Sequence, residues 1–312
     1  MKHTGFLLLL LSGMALAACS SDDEELVENS NGRKLRQLTI AEVPVTQNAP
    51  TSKKVRLTEN SSSLDASWTK DDMATYFNVS SFRFDRMDYG KLTAASSTRT
   101  SMFQGTVYCT TGDNVALFYP AKDPIRQGTD RGKFTISLDG QKGTLGDIEE
   151  HFHYVYGVAE VTSVTDQTAT ATIDNMQSLL AVCKFSFTDG SETIPVKTLT
   201  INYYYYDKGS AYSIGYSLSA MLTPAAGVSS LTLAYPDQED WEEKGLSVNL
   251  GAETSNGVYV ALFPYSPTGY MHFTVTNCSG TYTGMAKASL KAGRYYPASL
   301  KLTKQQQKTE TI

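Results

Sequence analysis

The sequence predicts an all-β protein, and three observations carry that reading. Tyr is common, at 19 of 312 residues, with Thr and Ser frequent throughout, a composition that favours strands. Short alternating runs are separated by Gly, Asp, Asn and Ser at intervals of about 8 to 12 residues. No apolar stripe at helical spacing is long enough to require a helix of several turns.

The chain opens with Lys2 and His3, a compact apolar run from Phe6 to Leu11, and Leu16-Ala17-Ala18-Cys19. The apolar run is too short to span a bilayer as a stable helix, so residues 1–19 read as an export signal. Small residues directly before a cysteine look like the lipobox of bacterial lipoproteins, in which Cys19 is acylated and becomes the mature N-terminus. Acyl chains contribute about 0.8 kcal/mol per buried CH₂, so a multiply acylated Cys19 would hold firmly to a membrane. Residues 20–36 read as an acidic, flexible tether. Its Ser20-Ser21-Asp22-Asp23-Glu24-Glu25 run is a solvated spacer. The run also resembles the acidic signal that sends Bacteroidetes-type lipoproteins to the outer face of the outer membrane.

The first strand is expected from Gln37 onward. Leu38 and Ile40 alternate with Thr39 and Ala41, then Val43 and Val45 resume one position out of phase, which predicts a bulge near Glu42. Pro44 cannot donate to a ladder, which predicts an edge strand or pairing on one side only. Asn48 to Ser52 then breaks the pattern, and Lys53-Lys54-Val55-Arg56 offers basic residues in a loop.

Trp68 to Asp72 reads as a turn into a strand from Met73 to Val79. Ser81 to Met87, Thr100 to Tyr108 and Asn114 to Tyr119 come next as strands, with Asp88 to Lys91 a turn. Phe134 to Leu138 runs into Asp139-Gly140, a hairpin signal, and His151 to Val164 alternates as one long strand. Asp166 to Thr172 is polar, after which the pattern restarts. Strands are expected at Leu179 to Phe187, Leu199 to Tyr206, Ala211 to Leu218, Ser230 to Tyr235 and Leu246 to Leu250. Gly257 to Phe263, Tyr270 to Thr276, Thr281 to Met285 and Tyr295 to Leu302 complete the set. The predicted organisation is therefore two β-sandwich domains, 37–172 and 173–304, and a polar tail, 305–312. Each domain is large enough to bury its own core.

The net charge of −5, with no basic face evident, argues against a nucleic-acid partner. Besides Cys19, Cys109, Cys183 and Cys278 each sit in an apolar run without CxxC spacing, so buried free thiols are expected.

Several segments together resemble the fimbrillin family, the lipoprotein pilins of Bacteroidetes-type bacteria. Trp68-Thr69-Lys70-Asp71-Asp72 is similar to that family's W-x-x-G-D turn, with Asp71 where glycine is usual. Phe103-Gln104-Gly105, Gly112-Asp113 and Leu117-Phe118-Tyr119-Pro120 look like its F-x-G … Y-P block. His153 to Gly157, Val258 to Pro264, Gly280-Thr281-Tyr282 and Leu290 to Tyr296 resemble its later segments. The resemblance implies two transthyretin-like β-sandwiches and a polymer built by strand exchange. A surface arginine-specific protease cuts the loop after the first strand, that strand leaves, and a neighbour's strand fills the groove.

Arg56 occupies the matching place. Arg33 and Arg36 are also candidates, although a cut there would leave the strand attached. Removing Leu38, Ile40, Val43 and Val45 would expose roughly 6 to 12 kcal/mol of apolar burial, comparable to the stability of many domains. After Tyr295 to Leu302, Thr303 to Ile312 is polar and has no donor-like alternation. That suits a tip or accessory subunit, with an anchor as the alternative. The partners implied are other pilin subunits, the protease, the outer membrane through the lipid, and an unidentified host or bacterial surface ligand.

His151 and His153 would share a strand face and could hold a metal, but no third ligand is visible. Tyr203-Tyr204-Tyr205-Tyr206 reads as packing or as an aromatic platform for sugar, the basis of a rival reading as a non-polymerising glycan-binding lipoprotein. Asp237, Glu239, Asp240, Glu242 and Glu243 around Trp241 lack the order of a Ca²⁺ loop. No enzyme motif appears, and neither a cofactor nor a metal is expected.

Overall fold

The computed structural model describes residues 32–46, 56–60, 63–81, 88–207, 210–215, 218–225, 245–264, 270–287 and 289–306. The chain is all-β. Its first half supplies β1 (Lys34–Thr46), β2 (Arg56–Asn60), β3 (Ser63–Ser67), β4 (Met73–Asn78), β5 (Tyr89–Ala94) and β6 (Thr100–Cys109). Next come β7 (Asn114–Tyr119), β8 (Phe134–Ser137), β9 (Val155–Val164), β10 (Thr168–Thr172) and β11 (Met176–Ser178). The second half supplies β12 (Ala181–Thr188), β13 (Val196–Asp207), β14 (Ser210–Gly215), β15 (Ser219–Leu222) and β16 (Leu246–Thr254). It ends with β17 (Val258–Leu262), β18 (Tyr270–Asn277), β19 (Gly280–Lys287), β20 (Tyr295–Lys301) and β21 (Thr303–Lys304).

Among the described residues, helix is confined to one turn, Leu145–Asp147, which runs into a π-turn, Ile148–Phe152. Thr144 caps it by accepting from the Asp147 amide at 3.1 Å.

Eight strands form the first sheet, in the order β10-β1-β11-β9-β7-β4-β5-β6. Additional pairings of β1 with β6 and of β10 with β9 close the ladder on itself. A closed ladder leaves no edge for foreign strands while it stays intact. In the second half, β17-β12-β20 form one sheet and β14-β13-β18-β19-β21 another, with β16 also on β13. Phe185 of β12 meets Phe273 of β18 edge-to-face at 5.0 Å, so these two sheets pack on each other. β8 pairs with β15, which stitches the halves together. β2 and β3 form a separate hairpin.

The structure departs from the sequence expectations at several points. β1 is not an edge strand, because it is flanked by β6 on one side and by β10 and β11 on the other. The constraint from Pro44 acts only locally. That residue falls between the β10 pairing, which ends at Ile40, and the β11 pairing, which resumes at Val45. It opposes Thr100 on β6 alone. The segment from Arg56 is a strand, not a loop, and Asp88 to Lys91 leads into β5. The strands expected over 82–87 and 230–235 lie outside the described residues.

Asp166 to Thr172 contains β10, whose Ala169 and Ala171 point inward while the threonines face out. β11 lies past residue 172 and still belongs to the first sheet. Phe134 to Ser137 forms no hairpin across Asp139-Gly140; its partner is β15. Cys109 and Cys183 are buried, but Cys278 is exposed, since it lies in the tight connection between β18 and β19.

The Trp68 turn puts a strained residue at Asp71. Asp71 has φ +73°, in the left-handed region where glycine alone avoids a steric cost. The turn is closed by Asp72, whose amide donates to the Thr69 carbonyl at 3.0 Å and whose carboxylate accepts from the Thr69 amide at 2.7 Å. Asp71→Gly relieves the strain at an exposed position. It is expected to raise unfolding stability by about 0.5–1 kcal/mol, measured as an upward shift of the urea midpoint.

Candidate functional site

The site is the slot that β1 fills. Its N-terminal part points Arg36, Leu38 and Ile40 inward. Continued alternation would then turn Val43 and Val45 outward. Glu42 prevents this by adopting φ +51°, and between Ile40 and Val43 the strand spends three steps against two on β6. That extra residue is the bulge, and it returns Val43 and Val45 to the core. Leu38, Ile40 and Val43 are fully buried and Val45 nearly so.

Two rails hold the strand. β6 runs antiparallel to it, from Lys34 opposite Cys109 to Pro44 opposite Thr100. β10 runs parallel along Gln37–Ile40, and β11 along Val45–Thr46. Trp68, itself fully buried, donates its indole N–H to the Val43 carbonyl at 2.8 Å and packs edge-on against Phe103 at 4.8 Å. The tryptophan of the turn motif is therefore a floor under the bulge.

The N-terminal end of the slot is polar and charge-matched. Arg33 grips Asp113 with both arms of its guanidinium, at 2.6 and 2.7 Å. Asp113 also accepts from the Thr110 amide and the Asn78 side chain, each at 3.0 Å. Burial pushes the Asp113 carboxyl upward, but the Arg33 hydrogen bond and these two donors outweigh it and hold the pKa below the usual range. Arg36 is buried within the strand. Its Nε donates to the Thr165 carbonyl at 2.6 Å, and one terminal nitrogen reaches the carbonyls of Cys109 and Lys34. Lys34 adds a surface pair with Asp166 at 3.1 Å. The spacing of Arg33 and Arg36 ahead of Leu38 is visible in the sequence, but there it signals only alternative cut positions and not a charged end to the slot.

Residues 47–55 lie outside the described residues, and the chain resumes at Arg56, the exposed first residue of β2, opposite Ser67. The residues after Arg56 are pinned. Leu57 is buried, and its amide donates to Glu149 Oε2 at 3.3 Å. Glu59 accepts from Lys184 Nζ at 2.8 and 2.9 Å and from the hydroxyls of Tyr259 and Tyr295, joining the hairpin to β12, β17 and β20. Burial raises the Glu59 pKa, but those three donors together bring it below its ordinary value.

His151 and His153 do not share a strand face, because the predicted strand begins only at Val155 and His151 belongs to the π-turn. His151 is half exposed, whereas His153 is buried against Ser178 Oγ at 2.8 Å. Among the described residues no group of three or more His, Cys, Asp or Glu is placed to hold a metal ion. Tyr203 is buried in the core, and the side chains of Tyr204 to Tyr206 lie outside the described residues. So do Cys19, the acidic run from Asp22 to Glu25, the stretch around Trp241, and 307–312.

No protein-family model matches the chain, and no curated protein does. The chain shares its fold with a "putative cell adhesion protein" of Bacteroides ovatus. The TM-score is 0.50 at 13% identity, over 88% of this chain and 97% of that one. A "putative cell adhesion protein" of Bacteroides eggerthii aligns with TM-score 0.41 at 11% identity, over 88% and 87% of the two chains. A fimbrial protein of Bacteroides ovatus aligns with TM-score 0.36 at 11% identity, over 86% and 49%.

Proposed function

We infer that this chain is a surface pilus subunit of the fimbrillin type, serving adhesion and polymerised by strand exchange. The observation that carries the reading is the contrast on the two sides of Arg56. Upstream, β1 occupies a complete interior slot, and downstream, Leu57 and Glu59 keep β2 in place. A cut between them would free β1 and leave the rest of the fold attached. Arg33 and Arg36 suit a protease poorly: one is clamped on Asp113, and the other is buried in the ladder.

In this reading the eight-stranded unit and the sheets from β12 onward are the two transthyretin-like halves. Their division falls beyond Ser178, because β11 pairs with β1 and β9. Cys19 carries the lipid that anchors the chain to the outer membrane. The pairing of β20 with β12 and of β21 with β19 keeps these late strands within their own fold, which favours a tip or accessory place over a strand donor.

The test is incubation with an arginine-specific protease, then N-terminal sequencing and mixing with other pilin subunits of the same cell. Leu57 as the new N-terminus, loss of the 33–46 segment and mixed assemblies are expected. Trimming elsewhere, or a nick that leaves β1 in place and no assemblies, overturns the reading. The latter outcome leaves a non-polymerising surface lipoprotein.

A further inference from the structure

We propose that the slot vacated by β1 reads charge as well as shape. The partner it fits is an extended strand with arginines at the places of Arg33 and Arg36, and after them four apolar side chains interrupted by one bulge residue. This rests on the strand-exchange reading above and adds the chemistry of the incoming strand.

The slot's apolar part is permissive. The core positions that take Leu38, Ile40, Val43 and Val45 would take other aliphatic side chains of similar volume at modest cost. Its polar end is not permissive. Asp113 is buried beneath the strand, and its other donors are neutral, the Thr110 amide and the Asn78 side chain. A replacement strand that covers this carboxylate without a cation buries an unpaired charge, which is among the costliest errors a protein interface can contain. The two-armed contact at 2.6 and 2.7 Å also favours a planar guanidinium over an ammonium, which meets a carboxylate as a point charge.

The place of Arg36 is still more particular. The carbonyls of Thr165 and Cys109 belong to opposite rails, the β9–β10 connection and the end of β6, and one guanidinium reaches both. An apolar residue there would take this donor from the buried Cys109 carbonyl and from the part-buried Thr165 carbonyl. The two arginines therefore fix the register. Because side chains alternate with period two, a slip by one residue would drive Arg36's counterpart outward and every apolar anchor away from its pocket.

The test uses the full mature chain cut after Arg56, with Leu57 confirmed as the new N-terminus and the released segment removed. The probe is a labelled synthetic peptide of residues 33–46. The unaltered peptide is expected to bind, a peptide carrying Arg33→Ala and Arg36→Ala to bind roughly a hundredfold more weakly, and an Arg36→Lys peptide roughly tenfold more weakly. These arms leave the protein's own fold untouched. In the reciprocal arm, Asp113→Asn in the protein is expected to narrow the gap between the unaltered peptide and one carrying Arg33→Ala alone. Equal binding of all peptides overturns the charge requirement while leaving strand exchange standing. Failure of the unaltered peptide to bind overturns strand exchange and this inference with it.

Discussion

Leu38→Ala together with Ile40→Ala is expected to lower the unfolding free energy by about 4–8 kcal/mol, the largest effect available from two substitutions in β1. Both side chains are fully buried, and both stand where the strand is paired on two sides, to β6 and to β10. The surrounding ladder limits how far the core can collapse onto the space left, so each truncation should cost cavity energy as well as lost transfer. The two sites are close enough to couple, so their separate costs need not add. A loss of that size approaches the whole stability of an ordinary domain. The measurement is urea unfolding, with hydrogen exchange of the β1 amides as a local readout. Leu35→Ala, on the same strand but at an exposed position, is the control and should change stability by no more than about 0.5 kcal/mol. A double variant that loses less than about 1 kcal/mol would mean that β1 is held by its ends and not by its buried face.

The second large effect is a loss of stability in mild acid. Burial lowers the pKa of His153 to about 4. In the unfolded chain a histidine titrates near 6.5, so between these values the unfolded state binds the proton that the folded state refuses. Stability is therefore complete above about pH 6.5 and falls as the pH drops toward 4, by about 3 kcal/mol in total. Asp113 and Glu59 act in the same sense but further into acid. Their folded pKa values are depressed, so their contributions are present above the unfolded carboxylate range and vanish as the pH falls below it. His153→Gln is expected to remove most of the slope between about pH 6.5 and 4 and to leave the steeper acid limb intact. Urea titrations at several pH values measure both limbs. An unchanged slope in the variant would assign the acid sensitivity elsewhere.

The two halves of the slot differ in how legible they are in the sequence. The inward face of β1, with its phase change at Glu42, follows directly from the alternation of Leu38, Ile40, Val43 and Val45. A bulge is simply what restores a broken period. The second rail cannot be found the same way. β10 reads Thr-Ala-Thr-Ala-Thr, and alanine carries so little apolar signal that the stretch passes for a linker. Pro44 misleads for a related reason. Proline is excluded from paired positions residue by residue, so one unpaired flank at Pro44 is enough, even in a strand that is otherwise interior. The histidine pair fails because a π-turn interrupts the apparent alternation from His151, a feature without a period to detect. Asp113 and Arg33 stand 80 residues apart in sequence, and only the fold brings them together.

The contact between the Leu57 amide and Glu149 would acquire a different meaning if the peptide bond before it were hydrolysed as proposed. Scission after Arg56 would turn a neutral amide into a positively charged terminal amine about 3 Å from the Glu149 carboxylate. The reaction would then strengthen the hold on the end it creates while the other end departs. Maturation would be directional for an electrostatic reason, because the fragment that stays gains an ion pair at the moment of cleavage.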